Sequence, residues 1–189
     1  MSALSALEFI DRIEKNSYKI GDRETKDLLE TLDVLDLNLR SSRGNYLLHI
    51  CADWGFHKCI SFLIYKGLNK DLNLNVRNIN GESPLFLSFR RYIGLKNSDF
   101  KKCIDLLLSA GADVNIEDRY GETPLTYAIA YGDISFAKLF ILNGGNIFHT
   151  NSQFTPVDLI GGLLNMRSIL GDQYLNVIDR QLKIKLRVF

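Results

Sequence analysis

Hydrophobic positions along the chain recur in two alternating helical patterns separated by polar turns. RGNYLLHICADWG (Arg43 to Gly55), NGESPLFLSFRR (Asn80 to Arg91) and YGETPLTYAIAYG (Tyr120 to Gly132) share one phrase, and QFTPVDLIGG (Gln153 to Gly162) is a degraded copy. A second phrase precedes it as DLNLRSSRG from Asp36, NLNVRNING from Asn73 and DVNIEDRYG from Asp113. Ser83-Pro84, Thr123-Pro124 and Thr155-Pro156 predict helix starts. A hydroxyl there caps free N–H groups, and proline at the first helical position loses no bond. The first copy has Tyr46-Leu47 there, which predicts a less sharply started helix. Each first helix is followed by a second, around Cys59 to Ile64, Cys103 to Leu108 and Phe136 to Ile141. Their apolar residues cover more than one face, as in a helix buried between neighbouring units. Gly67, Gly111 and Gly144 follow, where a left-handed residue ends a helix.

The period emerges once two insertions are removed. The step from Gly44 to Gly81 is 37 and that from Gly81 to Gly121 is 40. From repeat glycine to helix-ending glycine the step is 23 for Gly44 to Gly67 and for Gly121 to Gly144, but 30 for Gly81 to Gly111. The excess of seven lies in RRYIGLKNSDFKK, and a further excess of four lies in LNKDLNLN. Without them both steps are 33. That period, the phrase Gly121 to Ala128 (GETPLTYA) and the phrase Leu106 to Asn115 (LLLSAGADVN) resemble the ankyrin repeat. The resemblance covers residues 30 to 160 well and both ends weakly.

It implies an all-α solenoid of antiparallel helix pairs joined by β-turn loops, with about five repeats including atypical caps. We expect one domain over 1–189. Residues 1–40 would cap it, 41–150 would hold three full repeats, and 151–189 a degenerate repeat and C-terminal cap. Leu4, Leu7, Ile10 and Ile13, with Phe9, have helical spacing from Ser5 to about Lys15. Leu28, Leu29 and Leu32 predict a second helix. After Pro156 the pattern predicts a first helix, a second at Leu163 to Leu170 and a third from Asp172 to about Leu182. The ending Leu182 to Phe189 alternates apolar and basic. A strand does this, but the segment also suits a closing helix or a frayed end.

Composition narrows the function classes. The 189 residues are 46% hydrophobic and 24% charged, with a net charge of +1. No global field therefore favours nucleic acid or an anionic membrane. Cys51, Cys59 and Cys103 are too few and too scattered for a disulfide framework and fit a reducing compartment. No basic and apolar leader opens the sequence. Nor is there an apolar run long enough to span a bilayer. The expected location is the cytoplasm, or the host cytosol for a secreted effector. Abundant Asn, Ile, Lys and Leu suit an AT-rich genome, such as that of an intracellular bacterium or a large DNA virus.

Catalytic chemistry finds little support. His49, at the family's TPLH histidine, is expected to bond the turn; His57 is expected at the surface and His149 in a loop. Cys51, Cys59 and His57 lack a second ligand pair for zinc, and the cysteines read better as small core residues. No phosphate loop, nucleophile elbow or H-E-x-x-H occurs. Lys183, Lys185 and Arg187 are too few for a nucleic-acid surface. We therefore expect no enzyme, no metal and no cofactor. The rival readings are an enzyme built on the repeats or a regulatory piece of a larger protein.

The expected role is protein binding by a monomer, as an adaptor, inhibitor or host-directed effector. The family's concave side would present Ser42, Arg43, Asn45, Asp53 and Trp54, then Asn80, Glu82, Arg90 and Arg91, then Arg119, Tyr120, Glu122 and Tyr131, with Phe154 extending the row. Trp, Tyr and Arg in this set match the composition of binding hot spots. Trp54 either meets the partner or packs on the next helix. The insertion from Arg91, with Tyr92, Ile93, Leu95 and Phe100, either forms a contact loop or adds a helical turn. Asn115, with Val114, Asp113 and Leu107, resembles an acceptor of an Fe(II)/2-oxoglutarate asparaginyl hydroxylase.

Overall fold

The computed structural model describes residues 3–16, 21–30, 38, 40–67, 72–149 and 180. Eight α-helices and no strand occur among the described residues. The chain divides into two compact units, Met1–Asp113 and Val114–Phe189. The first holds α1 (Ala3–Asn16), α2 (Asp22–Glu30), α3 (Leu47–Trp54), α4 (His57–Gly67), α5 (Pro84–Leu95) and α6 (Ser98–Ser109). The second holds α7 (Pro124–Ala130) and α8 (Ile134–Leu142). The helices expected beyond Pro156, the cap at Thr155 and the alternating tail lie outside the described residues, except that Arg180 is helical.

Local chemistry explains the helix starts. Ser83 Oγ accepts the Phe86 N–H at 3.2 Å ahead of Pro84. Thr123 Oγ1 accepts the Thr126 N–H at 3.3 Å, and Thr126 Oγ1 accepts the Thr123 N–H at 2.8 Å. The two hydroxyls thus satisfy each other's backbone, as a capping box does. α3 has no such hydroxyl. Instead His49 Nδ1 accepts the Tyr46 N–H at 3.3 Å.

The start of α4 is capped from a distance. Asp22, the first residue of α2, accepts the N–H groups of Lys58 and Cys59 at 3.0 Å each. Its own carbonyl accepts the Cys59 thiol at 3.1 Å. Contrary to the expectation of a surface position, His57 is half-buried, with Nδ1 3.5 Å from Asp22 and 3.7 Å from Asp99. The turn before it needs glycine for its backbone, since Gly55 has φ 71°.

In the first unit α3 packs on α4 and α5, α4 on α6, and α2 on α4. Leu47, Leu48, Ile50, Ile60, Leu63, Leu85, Phe86, Phe89, Ile104 and Leu107 form the interior. Cys51, Cys59 and Cys103 are free and buried within it. A hydrogen bond with Cys51 and then burial push the Cys59 thiol up, and burial does the same to Cys103. Such thiols are inert packing groups. In the second unit Val114, Leu125, Ala128, Phe136, Ala137, Phe140, Ile141 and Ile147 are the buried apolar set among the described residues.

The seven-residue insertion becomes helix. α5 runs 12 residues against eight in α3 and seven in α7. It ends at Lys96, a left-handed residue with φ 51° whose N–H bonds the Tyr92 carbonyl at 2.7 Å. Of the two readings of this segment, the added helical turn is the one adopted.

His49 is fully buried, and its Nε2 lies 2.8 Å from the Glu82 carbonyl, so Nε2 carries the ring proton while Nδ1 accepts. Burial holds its pKa down at about 4. The unfolded imidazole takes a proton near pH 6.5. Its contribution is therefore complete above that pH and is lost as pH falls toward about 4, a change of roughly 3 kcal/mol. In urea titrations the stability difference between wild type and His49→Gln should shrink by about that amount between pH 7 and 4; an unchanged difference overturns the assignment. Asp22→Ala should cost about 1–2 kcal/mol in the same assay by uncapping α4, and Asp22→Asn less.

Candidate functional site

The loops that lead into α3, α5 and α7 have one construction. Ser41, Asn78 and Asp118 each donate their N–H four residues ahead, to Asn45, Glu82 and Glu122 carbonyls at 2.7, 3.1 and 2.9 Å. Gly44, Gly81 and Gly121 return an N–H to the carbonyls of the same three residues. These glycines have φ of 82, 77 and 75°, a left-handed turn that suits glycine. The side-chain oxygen of the first loop residue closes the cycle, accepting the N–H of Asn45, Glu82 or Glu122 at 3.1, 3.1 and 2.9 Å. Arg40 and Arg77 brace the first two loops by donating Nε–H to the Gly44 and Gly81 carbonyls at 3.0 Å. Backbone groups being satisfied internally, the tip side chains are left to point outward.

The first unit separates the expected binding residues into two kinds. Arg43 is exposed at the first tip, and Trp54 is 42% exposed at the end of α3. The others are bound within the protein. Ser42 N–H donates to Asp11 at 2.7 Å, and Asn45 Nδ2 donates to Glu14 at 2.7 Å, so α1 holds this loop. Arg91 forms a two-point pair with Asp53, through Nε to Oδ1 and Nη2 to Oδ2 at 2.8 Å. That bond pushes the Arg91 pKa up. Arg90 Nε stands 2.8 Å from Glu82 Oε1. Glu82 is only 4% exposed, and its Oε2 also accepts from Asn78 at 3.1 Å and Asn80 at 3.4 Å. Glu82 thus holds its own loop. A buried carboxylate needs such partners.

In the second unit Tyr120 is 64% exposed at the loop tip. The Arg119 guanidinium lies over its ring at 4.7 Å and donates to its hydroxyl at 2.6 Å. Tyr131 is 60% exposed beside Tyr127, ring centres 4.5 Å apart. Glu122 is half-buried, and burial and then the Asp118 charge raise its carboxyl pKa. His149 Nε2 lies 2.7 Å from the Gly121 carbonyl, and Nδ1 is 3.5 Å from Glu117. Phe154 lies outside the described residues.

Asn115 belongs to a repeated bond. Its Oδ1 accepts the Asn146 N–H at 2.8 Å and its Nδ2 donates to the Gly144 carbonyl at 3.1 Å. Asn38 and Asn75 accept the N–H groups of Asn73 and Asp113 in the same way, at 3.0 and 2.9 Å. The residue is exposed, with both ends of its amide engaged.

Sequence reasoning does not single out Ser41, Asn78, Asp118 or Asp22. The loop trio does have a signal, a side-chain oxygen three residues before each repeat glycine. Among the described residues no group of three or more His, Cys, Asp or Glu is placed to hold a metal ion, and no helix is long and apolar enough to cross a membrane.

A family model for ankyrin repeats (3 copies) matches residues 21–118, and one for ankyrin repeats (many copies) matches residues 101–141. The target of rapamycin complex 2 subunit AVO2 of Saccharomyces cerevisiae is 27% identical over 150 residues, covering 66% of this chain and 33% of that protein. An ankyrin repeat protein of fowlpox virus is 28% identical over 129 residues, covering 57% of this chain and 92% of the viral protein. The nuclear factor NF-kappa-B p105 subunit of Mus musculus is 34% identical over 110 residues, covering 58% of this chain and 10% of that protein. The chain thus spans a third or less of the yeast and mouse relatives. With the period, the loop construction and the helix pairs all of one kind, the chain belongs to the ankyrin-repeat family, whose repeats are a protein–protein interaction module.

Proposed function

We propose that this chain binds another protein through the loop tips and the exposed first-helix ends of its units, and carries out no reaction itself. The observation that carries this is the exposure of Trp54 at the end of α3, Tyr120 at a loop tip and Tyr131 just after α7. Large aromatic rings at fixed positions bury much area at small entropic cost, which is the basis of binding hot spots. Arg43, Arg91 and Arg119 accompany them, and Arg91 and Arg119 are already oriented by Asp53 and Tyr120. Asn45, Asn80 and Arg90 contribute polar contacts. Asn115 stays a candidate for modification.

The finer reading is a cytoplasmic adaptor or inhibitor directed at a host protein. Two observations support it: the composition suited to an AT-rich genome, and the fowlpox relative matched over 92% of its length. In a pull-down from host lysate, Trp54→Ala and Tyr120→Ala should each weaken capture of a stoichiometric partner by about tenfold or more, the size of a hot-spot loss. Melting temperatures should barely change, because both rings are exposed. Arg91→Ala should weaken capture less, since its charge is already matched. Capture unchanged in all three variants removes the surface assignment.

A further inference from the structure

Two arginines and an isoleucine that the proposed row leaves out stand at the first two loops. Arg40 and Arg77 each precede the repeat glycine by four residues, and both are exposed. Each spends its Nε–H on that glycine's carbonyl, at 3.0 Å. The bond holds the guanidinium plane and leaves the terminal N–H groups unspent. The Arg40 guanidinium also lies 6.0 Å from the centre of the Tyr46 ring. Ile79, at the second tip, is 67% exposed. A side chain at Gly44 would collide with the Ile79 Cγ2 methyl and with the Arg40 guanidinium, so the two share the space over Gly44. Arg43, exposed at the first tip, is the residue before Gly44.

The acids around these loops are engaged elsewhere. Residues 40–46 and 75–82 hold three arginines and one carboxylate, Glu82, which is 4% exposed and bound by Arg90 and Asn78. From α1, Asp11 accepts the Ser42 N–H and Glu14 accepts from Asn45 Nδ2, each at 2.7 Å. Asp113 reaches the base of the second loop, where its N–H bonds Asn75 at 2.9 Å. Among the described residues none of these four acids forms an ion pair with Arg40, Arg43 or Arg77.

Resting on the loop-tip reading, we infer that these two loops recognise an acidic segment of the partner protein, with carboxylates on the Arg40 and Arg77 guanidiniums and an apolar side chain on Ile79. A guanidinium held in one plane meets a carboxylate through two parallel bonds. Setting the plane beforehand removes part of the ordering cost of binding. Apolar contact on Ile79 excludes water beside the charges, which strengthens those bonds. A phosphate would call for a nest of successive backbone N–H groups. Here the N–H groups of Ser42, Gly44, Asn45, Asn80, Gly81 and Glu82 are spent within the protein. A nucleic-acid strand would call for stacking platforms, and the second tip presents an isoleucine instead.

The test is fluorescence anisotropy of the full chain with a labelled probe peptide, two glutamate pairs flanking a leucine. Glutamine in place of glutamate gives a control peptide, and a single-stranded DNA oligonucleotide gives a second control. The glutamate probe should bind saturably, and raising salt from about 50 to about 500 mM should weaken it about tenfold. Arg40→Lys with Arg77→Lys keeps both charges but loses the braced fork, and should weaken the probe about fivefold. Arg43→Gln and Ile79→Ser should each weaken it about threefold, and because both side chains are exposed the melting temperature should hold. Three results overturn the inference: no saturation up to about 1 mM probe, the weakest range of specific binding; binding indifferent to these variants or to the loss of the carboxylates; or DNA bound as tightly as the probe. If lysate capture is lost in Trp54→Ala while the probe fails to bind, the inference falls and the loop-tip reading stands. Capture indifferent to Trp54→Ala and Tyr120→Ala removes that reading itself.

Discussion

The side-chain oxygen three residues before each repeat glycine is the interaction on which the rest depends. A loop that exposes its tip cannot borrow hydrogen bonds from a sheet, and unpaired backbone groups at its base are costly to bury. Ser41, Asn78 and Asp118 supply the missing acceptor, and the left-handed glycine turns the chain back so that the acceptor is reached. The next residues then arrive extended, with ψ 162° at Ser83, as a helix cap requires. One oxygen thus sets the loop, the helix start and the outward direction of the tip. The same economy joins successive repeats, where the buried His49 ring bonds the Glu82 carbonyl of the following loop.

How much of this is legible in the sequence depends on the distance over which each bond acts. The caps at Ser83 and Thr123 and the glycine turns are local, and the residue types announce them. The fold class follows from period and phrase. The cap on α4 is not legible, because Asp22 reaches Lys58 across 36 residues and no local rule links them. The expectation of a surface His57 fails for the same reason, since the acids that surround it come from α2 and α6. The α5 extension is ambiguous because its left-handed stop is a lysine rather than a glycine.

The residues expected to meet a partner also make contacts within the protein. Arg90, Arg91, Asp53 and Glu82 have the residue types of a contact surface. Repetition places equivalent helices side by side, however, and Arg91 falls 38 residues after Asp53, close to one repeat with its four-residue insertion. Opposite charges at nearly equivalent positions in neighbouring helices find each other first. An exposed pair of this kind adds little stability. Its larger effect is on the surface, where it removes net charge and fixes a guanidinium plane at the end of α3.

A partner docking on the row proposed for the first unit would meet Arg90 and Arg91 already paired with Glu82 and Asp53, and Arg43 and Trp54 exposed. Charges paired within the protein add little long-range attraction, so binding there would rest on the Trp54 ring and on shape and would respond weakly to salt. A steep salt dependence would instead point to a contact made by charge outside these pairs.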